Sequence, residues 1–257
     1  MCLAKEIGFR TIAHLLIGRQ QIFVLSHFRT RSRRLERIDT GDYTAAEYRR
    51  FLREIAFINR HFGDKRALER TLFREIEARG STAFSLLDVG SGSGELLRTT
   101  AEWARATGRD ARLTGIDLSP ISAETAATDG PGIEHLRGDA RALPFEDSSF
   151  DFVIASLFFH HLSDKEAVQV LREMLRVARS VVAVIDIHRH PAAWVLYRLM
   201  CTVFSISPLV REDGSLSIMR AFKPGELAAV AEAAGAEGIT EKRSFPFRIV
   251  LRTDGAR

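Results

Sequence analysis

From about residue 84 onward, short apolar runs alternate with stretches whose apolar residues recur at helical spacing. The runs fall at 84–89, 113–117, 133–136, 152–157 and 181–187. A helix-like segment or a turn follows each. This alternation predicts crossover units and a parallel sheet covered by helices on both faces. Two helix starts are well marked. Ser119-Pro120 puts a capping residue ahead of a proline at the first helical position. Ser163 and Glu166 have capping-box spacing ahead of Val168, Leu171, Met174, Leu175 and Ala178. The chain then predicts a helix over 225–234 and two strands around 238–243 and 247–252.

Upstream of the first run the period is helical. Tyr48, Phe51, Leu52, Ile55, Ile58 and Phe62 mark a helix over 43–62, and Leu68, Leu72, Phe73 and Ile76 mark one over 65–79. Gly80 stands where a helix end favours positive φ. Residues 1–40 differ: Arg29, Arg31, Arg33, Arg34 and Arg37 form a dense cationic run, expected to be a solvated or disordered arm. Residues 191–222 are too long for an ordinary connection. Their first part carries Trp194, Val195, Leu196, Tyr197, Leu199, Met200, Val203 and Phe204 with Arg198 as its only charge, so it must be covered. The expected organisation is an arm at 1–40, cap helices at 41–80, a core at 81–190, an apolar cap insertion at 191–222, and the last helix and two strands at 223–257.

Charge refines this picture. The 257 residues carry a formal net charge of +4. Residues 1–80 have a net charge of +7 and the remainder −3, so the basicity belongs to the N-terminal part. A mildly acidic core argues against a nucleic-acid partner. Cys2 and Cys201 give neither a disulfide framework nor zinc spacing. The most apolar stretch, Thr11 to Phe28, is interrupted by Arg19, Gln20 and Gln21 and lacks a small-residue cleavage site. The expectation is therefore a cytoplasmic protein with no integral membrane segment, peripheral contact being an option.

The chemistry gathers at the predicted strand ends. The first strand runs into Asp88-Val89-Gly90-Ser91-Gly92-Ser93-Gly94, and a helix follows. Glycines here let backbone approach a ligand closely. In a dinucleotide fingerprint the place of Glu95 would be a glycine. Asp88, Asp117 and Asp139 end the first three strands, so all three fall at the carboxyl edge of the sheet, where such folds bind ligands. Three carboxylates with no lysine or arginine expected beside them fit a cationic ligand rich in donors. S-adenosylmethionine has a sulfonium, an ammonium, two ribose hydroxyls and an adenine amine.

The segments 87–94, 115–119 and 138–145, together with Ser149-Phe150-Asp151-Phe152-Val153, resemble the class I S-adenosylmethionine-dependent methyltransferases. The likeness covers about residues 82–190 and is nearest to the small-molecule, quinone-biosynthesis subgroup. It implies a Rossmann-like α/β fold with a seven-stranded sheet of order 3-2-1-4-5-7-6 and an antiparallel seventh strand. It further implies that Asp88, Gly90, Ser91, Gly92 and Gly94 hold the methionine end. Asp117 would take the ribose hydroxyls, and Asp139 with Ala140 would meet the adenine. Leu118 and Ser156 complete the expected donor set.

For the acceptor side, Leu157-Phe158-Phe159-His160-His161 and Asp186-Ile187-His188-Arg189-His190 end the fourth and fifth strands. His160 and His188 are the candidate bases, with Phe159, Trp194, Tyr197 and Met200 as candidate acceptor contacts. Asp186, His188 and His190 alternate along the chain, but no metal is expected. The function expected is methyl transfer to a small, apolar, aromatic acceptor, O-methylation ahead of C-methylation of a quinone-type precursor. A nucleic-acid methyltransferase is disfavoured: Ala155-Ser156-Leu157-Phe158 replaces the Asn/Asp-Pro-Pro-aromatic motif, and neither cysteine follows a proline. A non-catalytic donor-binding protein is disfavoured by the intact glycine loop.

Overall fold

A computed structural model of the chain describes residues 28–61, 64–129 and 132–255. Seven strands form one sheet: β1 (Ala83–Val89), β2 (Asp110–Asp117), β3 (Glu134–Arg137), β4 (Phe150–Ser156), β5 (Ala178–Ile187), β6 (Thr240–Ser244) and β7 (Arg248–Asp254). Their order is β3-β2-β1-β4-β5-β7-β6. The pairings among β1 to β5 are parallel, and β7 lies antiparallel to β5 and β6. Order and directions match those expected.

Side chains of a buried strand alternate between faces, and two apolar layers result. Leu87, Val89, Val153, Val182 and Leu251 pack on one side with α6 (Asp164–Val177) and α9 (Glu226–Ala234). Leu86, Phe152, Ile154, Val181 and Ile185 pack on the other with α3 (64–78) and α4 (Glu95–Ala106). Helix α3 covers 64–78 and contains a π-helical turn, Glu69–Phe73, which buries Leu72 and Phe73. The Ser163–Glu166 capping box at α6 is formed: Ser163 N and Oγ donate to Glu166 Oε2 at 2.9 and 2.7 Å. Helix α5 (Pro120–Asp129) begins at the expected proline.

The N-terminal part departs from expectation. Residues 1–27 of the predicted arm lie outside the described residues, but 28–40 are built into the fold. Phe28 and Glu36 are buried. Arg31 donates to Arg220 O, Leu162 O and Asp164 Oδ1 at 2.7, 3.0 and 2.7 Å. Fully buried Arg189 donates to Phe28 O and pairs with Glu226 at 2.7 Å. The arginines that read as solvated charge are in part the bolts of this segment. Their guanidiniums satisfy main-chain carbonyls, which a count of like charges does not reveal.

The segment after β5 forms two helices, α7 (Pro191–Val203) and α8 (Pro208–Arg220). Together with α1 (Arg37–Thr40) and α2 (Ala45–His61) they build a cap. Tyr48, Phe51, Leu52 and Ile58 of α2 share a buried cluster with Met200, Cys201, Leu209 and Val210. Helices α7 and α8 approach closely because Gly214 leaves room for the Tyr197 hydroxyl, which donates to Val210 O at 2.6 Å. The cap stands over the carboxyl edge of the sheet.

Candidate active site

One cavity of about 1490 Å³ lies between cap and sheet edge. That exceeds the roughly 300–1,000 Å³ usual for a single small ligand, so it has room for two reactants. The carboxyl ends of β1, β2 and β4 supply one wall. The cap supplies the other through Tyr43, Tyr48, Phe51, Met200, Val203 and Phe204.

On the sheet side, β1 turns at Gly90 with φ 74°, and a Cβ there would stand 2.6 Å from the Phe158 ring. Only glycine allows this turn to pack on that aromatic. Gly90 N and Ser91 N donate to Ile116 O at 2.9 and 3.2 Å, which ties the loop to β2. Asp117 accepts from Gly92 N at 2.9 Å and Ser119 N at 2.8 Å. Asp88 is only 2% exposed, and its Oδ1 has no hydrogen-bond partner. Burial, with the charge of Asp117 adding to it, pushes the Asp88 carboxyl up to about 8. An unpartnered carboxylate is costly in so dry a place. A cationic ligand donating to Asp88 would relieve that cost, and Gly92, with nothing within 4 Å of where a Cβ would be, leaves the approach clear.

Ser91, Asp117, Leu118, Asp139, Ala140 and Ser156 line the cavity with Asp88, Gly90 and Gly92; Gly94 does not, since it faces His135. Asp139 differs from the other two acids. Arg141 donates to it from its main chain at 2.9 Å and from its guanidinium at 2.8–3.1 Å. Those hydrogen bonds hold its carboxyl below the usual range. The expectation of acids without a neighbouring cation therefore holds for Asp88 and Asp117 and fails for Asp139, because Arg141 sits on the same loop.

The acceptor-side residues separate clearly. His160 is 3% exposed and lines the cavity. Its main-chain N–H reaches Asp186 Oδ2 at 2.9 Å, and its Nδ1 lies 2.7 Å from Oδ1. Burial would raise the Asp186 carboxyl, but the charge and hydrogen bonds of His160 and the N–H of Ile187 hold it low. An ionised carboxylate only accepts, so Nδ1 is the donor in this contact, and Nε2 is the ring nitrogen left facing away from Asp186. The structure does not bring His188 to the cavity; it bridges Phe222 and lies 5.5 Å from the ring of His190. Strand alternation would put it on the face of Asp186, but β5 ends at Ile187 and His188 leaves the strand in its bridge to Phe222, with its N–H on Phe247 O at 2.9 Å. Phe159 is fully buried in the sheet core, and Trp194 lies under Arg198 outside the cavity. Tyr197 and Met200 do line it.

The sequence did not point to Glu36, Asp39 or His161 as site residues. His161 Nδ1 is 2.9 Å from Asp39 Oδ1 and 3.9 Å from Glu36 Oε2. Burial, opposed by the charge of His161, raises the Glu36 carboxyl to about 7. These acids lay hidden in the cationic run. Aromatic Tyr43, Tyr48 and Phe51, stacked in series with centroids 4.7 and 5.8 Å apart, were visible only as helix periodicity.

Residues 86–180 match the family described as a methyltransferase domain. Over that span the chain carries a methyltransferase domain, and it is similar to the class I, S-adenosylmethionine-dependent enzymes. The ubiquinone/menaquinone biosynthesis C-methyltransferase of Hahella chejuensis is 33% identical over 101 residues, 37% of this chain and 39% of that protein. The demethylmenaquinone methyltransferase of Roseiflexus castenholzii is 35% identical over 107 residues, 40% and 42% of the two chains. The chain thus spans about two fifths of the length of these relatives. Among solved structures, human N-acetylserotonin methyltransferase in complex with SAM aligns with TM-score 0.61 and 15% identity, covering 94% of this chain and 69% of that one. A methyltransferase from Aquifex aeolicus gives 0.54 and 16%, covering 83% and 100%. At such identities these two show the fold alone.

Proposed function

We propose that the protein transfers a methyl group from S-adenosylmethionine to an apolar, hydroxylated aromatic small molecule, with O-methylation as the leading outcome. One observation carries this: a single cavity joins the Asp88–Asp117 end to an apolar, aromatic cap wall, with His160 lining the same space. The donor supplies an activated methyl carbon when bound. Asp88 would hold its ammonium and Asp117 its ribose hydroxyls, while the glycine loop keeps the backbone close. Asp139 with Ala140 remains the proposed adenine contact. The cap excludes water and aligns the acceptor, which is the main demand of an in-line displacement. His160, oriented by Asp186, takes the proton from the acceptor hydroxyl at Nε2.

C-methylation is the second reading. It is favoured by the likeness to the Hahella relative, a C-methyltransferase, and an ionised phenol is nucleophilic at ring carbon as well as oxygen. Nucleic acid is not part of either reading. A membrane-surface contact is. No helix among the described residues is long and apolar enough to cross a membrane. Yet Leu196, Leu199, Val203 and Phe204 line the cavity while being 53–67% exposed, so its mouth is apolar. A cytoplasmic enzyme meeting a lipophilic acceptor at a bilayer would use such a mouth. The test is calorimetry with S-adenosylhomocysteine, then a screen of phenols, quinols and polyketide-like aromatics read by mass gain, with NMR locating the new methyl. Absence of donor binding would refute the proposal, and a strictly polar acceptor would refute its apolar part.

A further inference from the structure

We infer that Glu36, His160 and His161 form a binding site for one divalent transition-metal ion, of the zinc class, on the acceptor side of the cavity. Each of the three offers one ligand atom, and these atoms all lie within 4.8 Å of one another. Bonds of about 2.1 Å in a tetrahedral site put neighbouring ligand atoms about 3.4 Å apart, so closure needs side-chain movements of about an ångström. The donor set, two imidazoles and one carboxylate, is one that zinc and its neighbours accept while keeping a position open.

Independent observations point the same way. Glu36 is 1% exposed, and its Oε1 has no hydrogen-bond partner; the nearest guanidinium nitrogen, Arg220 Nε, is 3.7 Å away. His160 is backed by Asp186 at Nδ1, the arrangement that orients a metal-bound imidazole and raises its basicity. Asp39, 2.9 Å from His161 Nδ1, adds a further oxygen. Arg220 fixes the ligand-bearing turn itself: it donates to His160 O at 3.0 Å and His161 O at 2.5 Å. Arg34 O also accepts from Arg220, at 2.7 Å, so the strand-four turn and the segment carrying Glu36 are held together before any ion arrives.

An ion here would hold an acceptor oxygen and favour loss of its proton to solvent, with His160 Nε2 then serving as a ligand in place of its role as base. That role rests on the methyl-transfer reading, whereas the binding itself does not. The experiment uses the full chain after chelator treatment, titrated with Zn²⁺ alone and, separately, with Co²⁺ followed by visible absorption. Expected are one equivalent of Zn²⁺ and cobalt bands of a four- or five-coordinate site. Glu36→Gln and His161→Ala should each weaken Zn²⁺ binding at least tenfold, with circular-dichroism melts confirming that both fold. Wild-type protein that takes up neither ion overturns the inference, as does uptake unchanged in both folded variants. Donor affinity measured on the same samples separates the outcomes: intact donor binding without metal uptake sinks only the ion, while lost donor binding sinks the methyl-transfer reading.

Discussion

The two walls of the cavity are built on different principles. On the donor wall, function sits in the backbone: tight glycine turns, strand ends in fixed register, and carboxylates that arrive wherever a strand stops. Asp117 is pinned by the N–H groups of Gly92 and Ser119, and the loop is pinned to Ile116 O. On the acceptor wall, function sits in side chains gathered from distant segments: Glu36 and Asp39 from the N-terminal part, His160 and His161 after β4, Asp186 on β5. A motif can specify the first kind of site, because spacing alone sets the geometry. The second kind can be retuned by few substitutions without disturbing the sheet, which suits a wall that must fit a particular acceptor.

If the walls are separable, the largest effect should come from the acceptor side and leave the donor untouched. His160→Ala is expected to lower turnover by about 10²–10⁴-fold, the range for loss of a general base, with unchanged affinity for S-adenosylhomocysteine by calorimetry. His188→Ala should leave turnover near wild type, since His188 does not line the cavity. Equal losses in both variants would break the assignment.

The converse test removes a donor contact. Asp117→Ala should weaken donor binding by about 1–3 kcal/mol, or roughly 5- to 150-fold, the value of hydrogen bonds to a charged group. The acceptor dependence of the remaining turnover should be little changed. Calorimetry giving wild-type affinity would take Asp117 out of the site.

The same division decides what was legible. Strand order, the capping box and the proline start of α5 could be read because hydrophobic period and capping chemistry are local. Asp88 and Asp117 could be read because strand ends in a parallel sheet share one edge. Asp139 was half legible: it lines the cavity but lies two residues beyond the end of β3, and Arg141 on the same loop pairs with it. His188 does not reach the cavity because β5 ends at Ile187, and beyond it the alternation that would have kept His188 on the face of Asp186 no longer holds. Glu36 and Asp39 were hidden for a different reason. They are acids inside an arginine-rich run, and only the long-range bonds of Arg31, Arg189 and Arg220 reveal that this run is folded in.

A smaller effect should appear in pH. Without ligand the buried Asp88 carboxyl is raised to about 8, so at neutral pH the folded protein holds a proton that the unfolded chain has released. Stability from this group therefore falls as pH rises from the ordinary aspartate range towards 8. Binding a cationic donor needs the ionised form, so binding expels that proton. Affinity for S-adenosylhomocysteine should rise with pH between 6 and 8, by at most about tenfold per unit, and level off above 8. In Asp88→Asn the slope should vanish. A wild-type affinity that is flat or falls over this window would mean that Asp88 does not meet the ammonium.

The smallest effect concerns the cavity mouth. Leu199 and Val203 on α7 are 58% and 67% exposed and line the opening beside Phe204. Leaving such a row in water forgoes roughly 25 cal/mol per Å² of apolar surface that a bilayer could cover. Exposed Arg49, Arg53 and Arg198 on the same cap suit a lipid surface that is anionic. Wild-type protein should therefore sediment with vesicles containing phosphatidylserine more than with neutral vesicles. Leu199→Ser with Val203→Ser should reduce that binding a few-fold while donor affinity stays constant, because neither residue touches the glycine loop. Should the pair instead leave vesicle binding unchanged and dissociate an oligomer seen by sedimentation velocity, the row is a contact between copies. The acceptor wall would then be closed by protein rather than by lipid, and its mouth would not be the route by which a lipophilic acceptor enters.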